Sequence, residues 1–152
     1  MKYILMITMM AFLISGCTIK REVKPVSNLM SDKICLIEDT KVREGFLDTY
    51  SKVLEDKGYQ VDVLSPRSSK TSCKVTSTYT ALWSWDLALY MSYAKIKVYE
   101  NGKLKGSALY DSRSGGGRIF EKFGNGDKMI KSLVDELFPQ DAKAQENKKS
   151  FK

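Results

Sequence analysis

Histidine is absent from this chain of 152 residues, so any chemistry must come from carboxylates, lysines, hydroxyls and three cysteines. Without imidazole there is no His general base, no Ser-His or Cys-His nucleophile pair and no imidazole metal ligand. The carboxylate in the most suggestive setting is Asp86, between Trp85 and Leu87. Large apolar neighbours raise a carboxyl pKa and suit it to acid–base work. The sequence places no second carboxylate beside it, and a turn residue bonding its own backbone is the favoured reading. Tyr79, Trp83, Trp85, Tyr90, Tyr93 and Tyr99 surround it in the chain. Exposed rings stack on sugars and covered rings fill cores; core packing is favoured for this group. Tyr93 and Tyr99 share a face with Lys95 and Lys97 and are the better surface candidates. The candidate ligand contacts are therefore Trp83, Trp85, Asp86, Tyr93 and Tyr99. Ser114-Gly115-Gly116-Gly117-Arg118 has the glycines of a phosphate loop but lacks its Lys-Ser/Thr ending, and reads as a flexible loop. No catalytic residue, cofactor or metal site is assigned.

The cysteines divide by position. Residues 4–14 (ILMITMMAFLI) follow Lys2 as an apolar run too short to span a bilayer, which needs about 20 residues, but suited to a secretory signal. Ile14, Ser15, Gly16 and Cys17 then stand in order as a branched aliphatic residue, two small residues and a cysteine. This resembles the bacterial lipobox, which implies that Cys17 is alkylated by diacylglycerol, becomes the mature N-terminus and is N-acylated. Two or three acyl chains make a stable anchor where one is marginal. Thr18 is not the Asp that retains such proteins at the inner membrane, so the expected address is the outer membrane, lipid-anchored, on its periplasmic face. Cys35 and Cys73 remain as an even pair in an oxidising compartment, and a disulfide between them is expected. They are not in a C-x-x-C arrangement, so a redox role is disfavoured.

Hydrophobic residues make up 43% of the chain, enough for a real core, and about 136 residues follow the signal, one domain's worth. The net charge of +7 invites a nucleic-acid reading. Its distribution does not support one: residues 17–33 and 140–152 each carry four basic and two acidic groups, while 34–139 carries sixteen and fourteen. A basic segment beside an acylated cysteine fits attraction to anionic head groups, and solubilising tails fit equally. Nucleic acid is not an expected partner.

The elements that must position these residues follow from periodicity. Residues 17–32 contain Pro25, lack sustained periodicity and read as a flexible tether after a signal over 1–16. A domain over 33–139 opens with a strand at 33–38. Asp39 and Thr40 offer capping oxygens, and Val42, Phe46, Tyr50, Val53 and Leu54 predict a helix over 42–57 ended by Gly58. A strand at 59–64 completes a βαβ unit. Val75, Tyr79, Ala81, Trp83 and Trp85 then alternate on one face of a long strand, and the phase shifts around Asp86. Ala88, Tyr90, Ala94, Ile96 and Val98 form one face of the next strand. Asn101-Gly102 predicts a type I′ turn into a strand at 103–111. Asn125 or Asp127 caps a last helix carrying Ile130, Leu133, Val134, Leu137 and Phe138, and 140–152 reads as a disordered polar tail. The expected fold is a single α+β domain, β-α-β-β-β-β-α, with two helices on one face of a twisted, mostly antiparallel sheet.

Thr76-Ser77-Thr78-Tyr79-Thr80-Ala81, then Trp83, then Trp85-Asp86-Leu87-Ala88-Leu89-Tyr90-Met91 resembles a small family of Gram-negative envelope lipoproteins. Gly45-Phe46-Leu47-Asp48 and Leu133-Val134-Asp135-Glu136-Leu137-Phe138-Pro139 carry the same resemblance. It implies an envelope location and a compact α/β domain, and no activity.

Two function classes follow. The favoured one is a non-catalytic binding or accessory module of the envelope, partnered by the bilayer through Cys17 and by an envelope assembly or cell-wall glycan. The alternative is a small envelope enzyme acting on cell-wall or glycolipid substrate through carboxylates such as Asp86.

Overall fold

The computed structural model describes residues 19–86, 88–114 and 125–139, with Asp86 described through its backbone. The signal, Cys17, the glycine run at 115–117 and the tail at 140–152 lie outside the described residues. Eight elements follow in order: β1 (Lys20–Lys24), β2 (Lys33–Ile37), α1 (Phe46–Asp56), β3 (Gln60–Leu64), β4 (Val75–Asp86), β5 (Ala88–Glu100), β6 (Lys103–Asp111) and α2 (Gly126–Leu137). The strands form one open sheet in the order β1-β6-β5-β4-β2-β3. Only the β4–β2 and β2–β3 pairs are parallel. Both helices cover the same face, joined by Thr49 Oγ1 donating to Asp127 Oδ1 at 3.1 Å and by Lys57 with Asp135 at 3.4 Å. The expected α+β class, with helices layered on one face of the sheet, is what the structure has.

The core fills the space between the helices and that face. Phe46, Tyr50, Val53 and Leu54 from α1 and Ile130, Leu133, Val134 and Leu137 from α2 meet Ile34, Leu36, Val75, Ala94, Ile96 and Ala108 of the sheet. Period-2 and period-3.6 patterns thus find each other as the sequence implied. Gly58, at φ 85°, closes α1 with its N–H on Glu55 O, and Asn101 and Gly102, at φ 50° and 77°, make the expected turn. Asn125 caps α2 by accepting from the Asp127 N–H at 3.1 Å.

Two boundaries differ from expectation. Helix α1 begins at Phe46, not 42, because Asp39 uses its carboxylate to hold the Lys41 N–H at 3.0 Å, making a local turn. Gly45, at φ 93°, then breaks the approach and serves as N-cap. The larger correction concerns 17–32, expected to be a flexible tether. From Lys20 to Lys24 it is an edge strand antiparallel to β6. Val26 and Leu29 are buried in the core, and the Val26 N–H donates to Leu137 O at 2.8 Å. Gly106 makes room for this: a Cβ there would stand 2.8 Å from Lys24 O and closer still to Val26. Lys20, Arg21, Glu22 and Lys24 hid the strand, since charges blunt a sheet edge and erase its apolar alternation.

Candidate functional site

The sheet face away from the helices is where the side chains collect that no core claims. Alternation sends Thr76, Thr78 and Thr80 of β4 to this side while Val75, Tyr79 and Ala81 enter the core. Opposite them β5 contributes Tyr99, Lys97 and Lys95: Thr76 pairs with Tyr99, Thr78 with Lys97 and Thr80 with Lys95. Ser107 of β6 lies beside Lys97, and Leu109 beside Lys95. Threonine and lysine so interleaved give a flat, hydrogen-bonding and cationic surface.

One side of that surface is walled by the connection from β3 to β4. Strands β3 and β4 run parallel with β2 between them, so residues 65–74 must cross β2 to return. They cross on the helix-free face. Cys35, whose neighbours Ile34 and Leu36 point into the core, points to this crossing and is fully buried beneath it. Cys35 and Cys73 form the expected disulfide, with Cα atoms 6.2 Å apart. The crossing delivers Lys70 to the sheet, its ammonium 4.6 Å from the centre of the Tyr99 ring. Lys70, Thr78, Thr80, Lys95, Lys97 and Tyr99 then line a groove of about 260 Å³. Among the described residues no carboxylate forms an ion pair with Lys70, Lys95 or Lys97. Three cations and three hydroxyls in one concavity make an acceptor-seeking site.

The expected contact residues separate. Tyr99 lines the groove under Lys70 and is 7% exposed. Tyr93 is half-buried two residues beyond Lys95 toward the hairpin tip, covered by the Arg113 guanidinium at 4.4 Å. Arg113 is itself fastened to Asp111, whose carboxyl its hydrogen bonds hold down to about 2. Any stability that this pair adds is present above the usual carboxylate range and is lost as pH falls toward that value. Tyr79 and Trp83 belong to the helix side. Tyr79 stacks on Phe46 with centroids 5.0 Å apart, and Trp83 meets the same ring edge-on at 6.4 Å. Burial raises the Tyr79 phenol pKa, and its oxygen accepts from the Asp39 N–H. Burial raises Tyr50 further, and its hydroxyl pairs with that of Ser77 at 2.9 Å.

Trp85 departs from core packing. It is 75% exposed: alternation keeps it on the side of Trp83, but there β4 and β5 run past the last row that they share with β6 and β1. The phase shift falls in β5 at Ser92, opposite Leu82/Trp83, rather than at Asp86, so Ala88 and Tyr90 lie on the opposite face from Ala94, Ile96 and Val98. The Asp86 carboxylate lies outside the described side chains; its backbone pairs with Ala88. Among the described residues no group of three His, Cys, Asp or Glu stands ready to hold a metal ion. Of the groove residues Tyr99 alone is among the expected contacts; Thr78, Thr80, Lys95 and Lys97 have no contact role in the sequence reading, and Lys70 is missed altogether. It sits in a polar loop, and only the crossing over β2 brings it to Tyr99.

Comparison with known proteins gives a likeness of fold. No family model matches the chain. No curated protein matches it either. Among solved structures, dodecameric PelC from Paraburkholderia phytofirmans superposes with a TM-score of 0.51 at 13% identity, over 82% of this chain and 99% of that one. A single-substitution variant of that dodecamer gives 0.53 at 12%, over 79% and 94%. A minor lipoprotein from Acinetobacter baumannii overlaps at 0.32 with 11% identity, over 72% and 86%. At such identities the two PelC likenesses show the fold alone.

Proposed function

We propose that this protein is a lipid-anchored, periplasm-facing envelope lipoprotein acting as a non-catalytic module that binds an anionic ligand on its helix-free sheet face. The observation that carries the binding reading is the groove of Lys70, Lys95 and Lys97 with Thr78, Thr80 and Tyr99. Unpaired ammonium groups beside hydroxyl donors recognise phosphate or carboxylate oxygens through charge-assisted hydrogen bonds. Phosphate- or carboxylate-bearing envelope glycans have that chemistry. The anchor reading is supported by Ile14-Ser15-Gly16-Cys17, with an outer-membrane address from Thr18. The mass of the mature N-terminal peptide reads the acylation directly.

Lys95→Glu/Lys97→Glu places two anions where two cations stand, at half-buried positions on the helix-free face that leave the core intact. Its affinity for phosphorylated lipopolysaccharide should fall at least about tenfold, a loss of roughly 1.4 kcal/mol. Wild-type binding should also weaken as salt shortens the screening length. A neutral glucan should bind neither protein. Equal affinity of wild type and variant for the phosphorylated ligand would refute the groove as the site.

Assembly of many copies into an oligomer is a second reading, favoured by the dodecameric state of the fold neighbours and by the open edge at β3, where Val63 is 52% exposed. Light scattering on the detergent-solubilised protein should then give a mass many times that of one chain. A monomer mass across the working concentration range would dismiss it.

A further inference from the structure

The β4–β5 hairpin outruns the rest of the sheet. Leu82, Tyr93, Asp111 and Lys20 stand side by side in the last row that β4, β5, β6 and β1 share. Past this row β4 and β5 continue alone, with Trp83 opposite Met91, Trp85 opposite Leu89 and Asp86 opposite Ala88. Met91 and Trp83 still turn toward the helices, but Trp85 is 75% exposed, Leu82 48% and Leu89 46%. Trp85 and Leu89 thus face each other, exposed, on this projection, and Leu82 stands exposed at its base. A ladder of exposed aromatic and aliphatic groups on a protruding hairpin calls for an apolar partner.

The path of the N-terminus says which partner. Lys20 lies in that same last row, and Cys17 precedes it by three residues. Trp85 follows Leu82 by three residues. At about 3.3 Å per extended residue, Cys17 and Trp85 can both reach roughly 10 Å beyond the row, from the same end of the sheet. We infer that the hairpin tip, Trp85 with Leu89, inserts into the interfacial layer of the bilayer that holds the Cys17 acyl chains. The inference rests on the anchor reading above. Tryptophan prefers that layer, where its ring is covered while the indole N–H stays wet. A strand that starts three residues after the anchor leaves no long tether, so the acylated end itself carries the tip to the lipid. The domain then stands on two feet, with its strands steep to the membrane and the lysine groove facing sideways over the head groups.

The two tryptophans allow a direct test. The mature protein is reconstituted in phosphatidylcholine–phosphatidylglycerol vesicles, with or without bromines on the acyl chains, and tryptophan emission is recorded. Trp83→Phe, conservative against the Phe46 ring, leaves Trp85 as sole reporter, and Trp85→Phe leaves Trp83. Trp85 emission should already be blue-shifted in plain vesicles, and bromine should roughly halve it and leave Trp83 emission unchanged. Trp85 emission untouched by bromine overturns the proposal. So does a Trp85 shielded from both brominated lipid and an aqueous quencher, which would mean that a protein covers the tip. The mass of the N-terminal peptide from the same sample tells the two readings apart. Acylated Cys17 with unquenched Trp85 sinks only the tip; unmodified Cys17 with unquenched Trp85 sinks both.

Discussion

Leu133→Asp should leave no cooperative unfolding transition. Leu133 is completely buried on α2, within the stripe of Ile130, Val134 and Leu137 that closes the core against α1 and the sheet. Removing most of a buried leucine costs about 2–5 kcal/mol through lost transfer energy and the cavity left behind. A carboxylate put there has no cation to meet and must be desolvated or protonated, which adds further kcal/mol. Domains of this size hold about 5–15 kcal/mol in total, so the two effects together consume most or all of it. Lys128→Asp, one turn earlier and exposed, should shift the transition by no more than about 0.5 kcal/mol. Circular dichroism during heating separates the two. An unchanged melt for Leu133→Asp would mean that the stripe does not face the core.

The second large effect belongs to the Cys35–Cys73 bridge. It closes a 38-residue separation that contains α1, β3 and the crossing segment. On the chain-entropy model a loop of that length stabilises by about 4 kcal/mol. Cys35→Ala/Cys73→Ala should therefore lower the melting temperature by roughly 10–20 °C. Alkylation of unreduced, denatured protein from the periplasm should find both thiols masked, and reduction should release two. Two freely alkylated thiols before reduction would refute the bridge. The consequence extends past stability. The bridge pins the segment that carries Lys70, so a reduced protein that stays folded should also lose part of its affinity for an anionic ligand. Stability and binding are coupled here through one covalent bond.

Much of this architecture was legible in the residues. The stripe from Ile130 to Phe138, the Asn101-Gly102 turn, the Gly58 stop and the period-2 run from Val75 to Ala81 are local signals. Each is set by side-chain sterics or backbone conformation within a few residues. Cysteine parity, with an oxidising compartment expected, likewise pointed to the bridge, because once Cys17 is set apart only one pairing remains. What tertiary structure decided were the features whose causes lie far apart in sequence. Strand β1 forms because β6 offers an open edge and Gly106 admits the backbone after it, facts that no window around Lys20–Lys24 contains. Lys70 joins Lys95 and Lys97 because β3 and β4 flank β2 in parallel, which forces the connection across the open face. Trp85 is exposed because β4 and β5 outgrow β6 and β1 beyond the Leu82/Tyr93 row. Alternation can say which residues share a side of a strand. Whether another element covers that side depends on strand order and strand length, and these arise only when distant segments pack together.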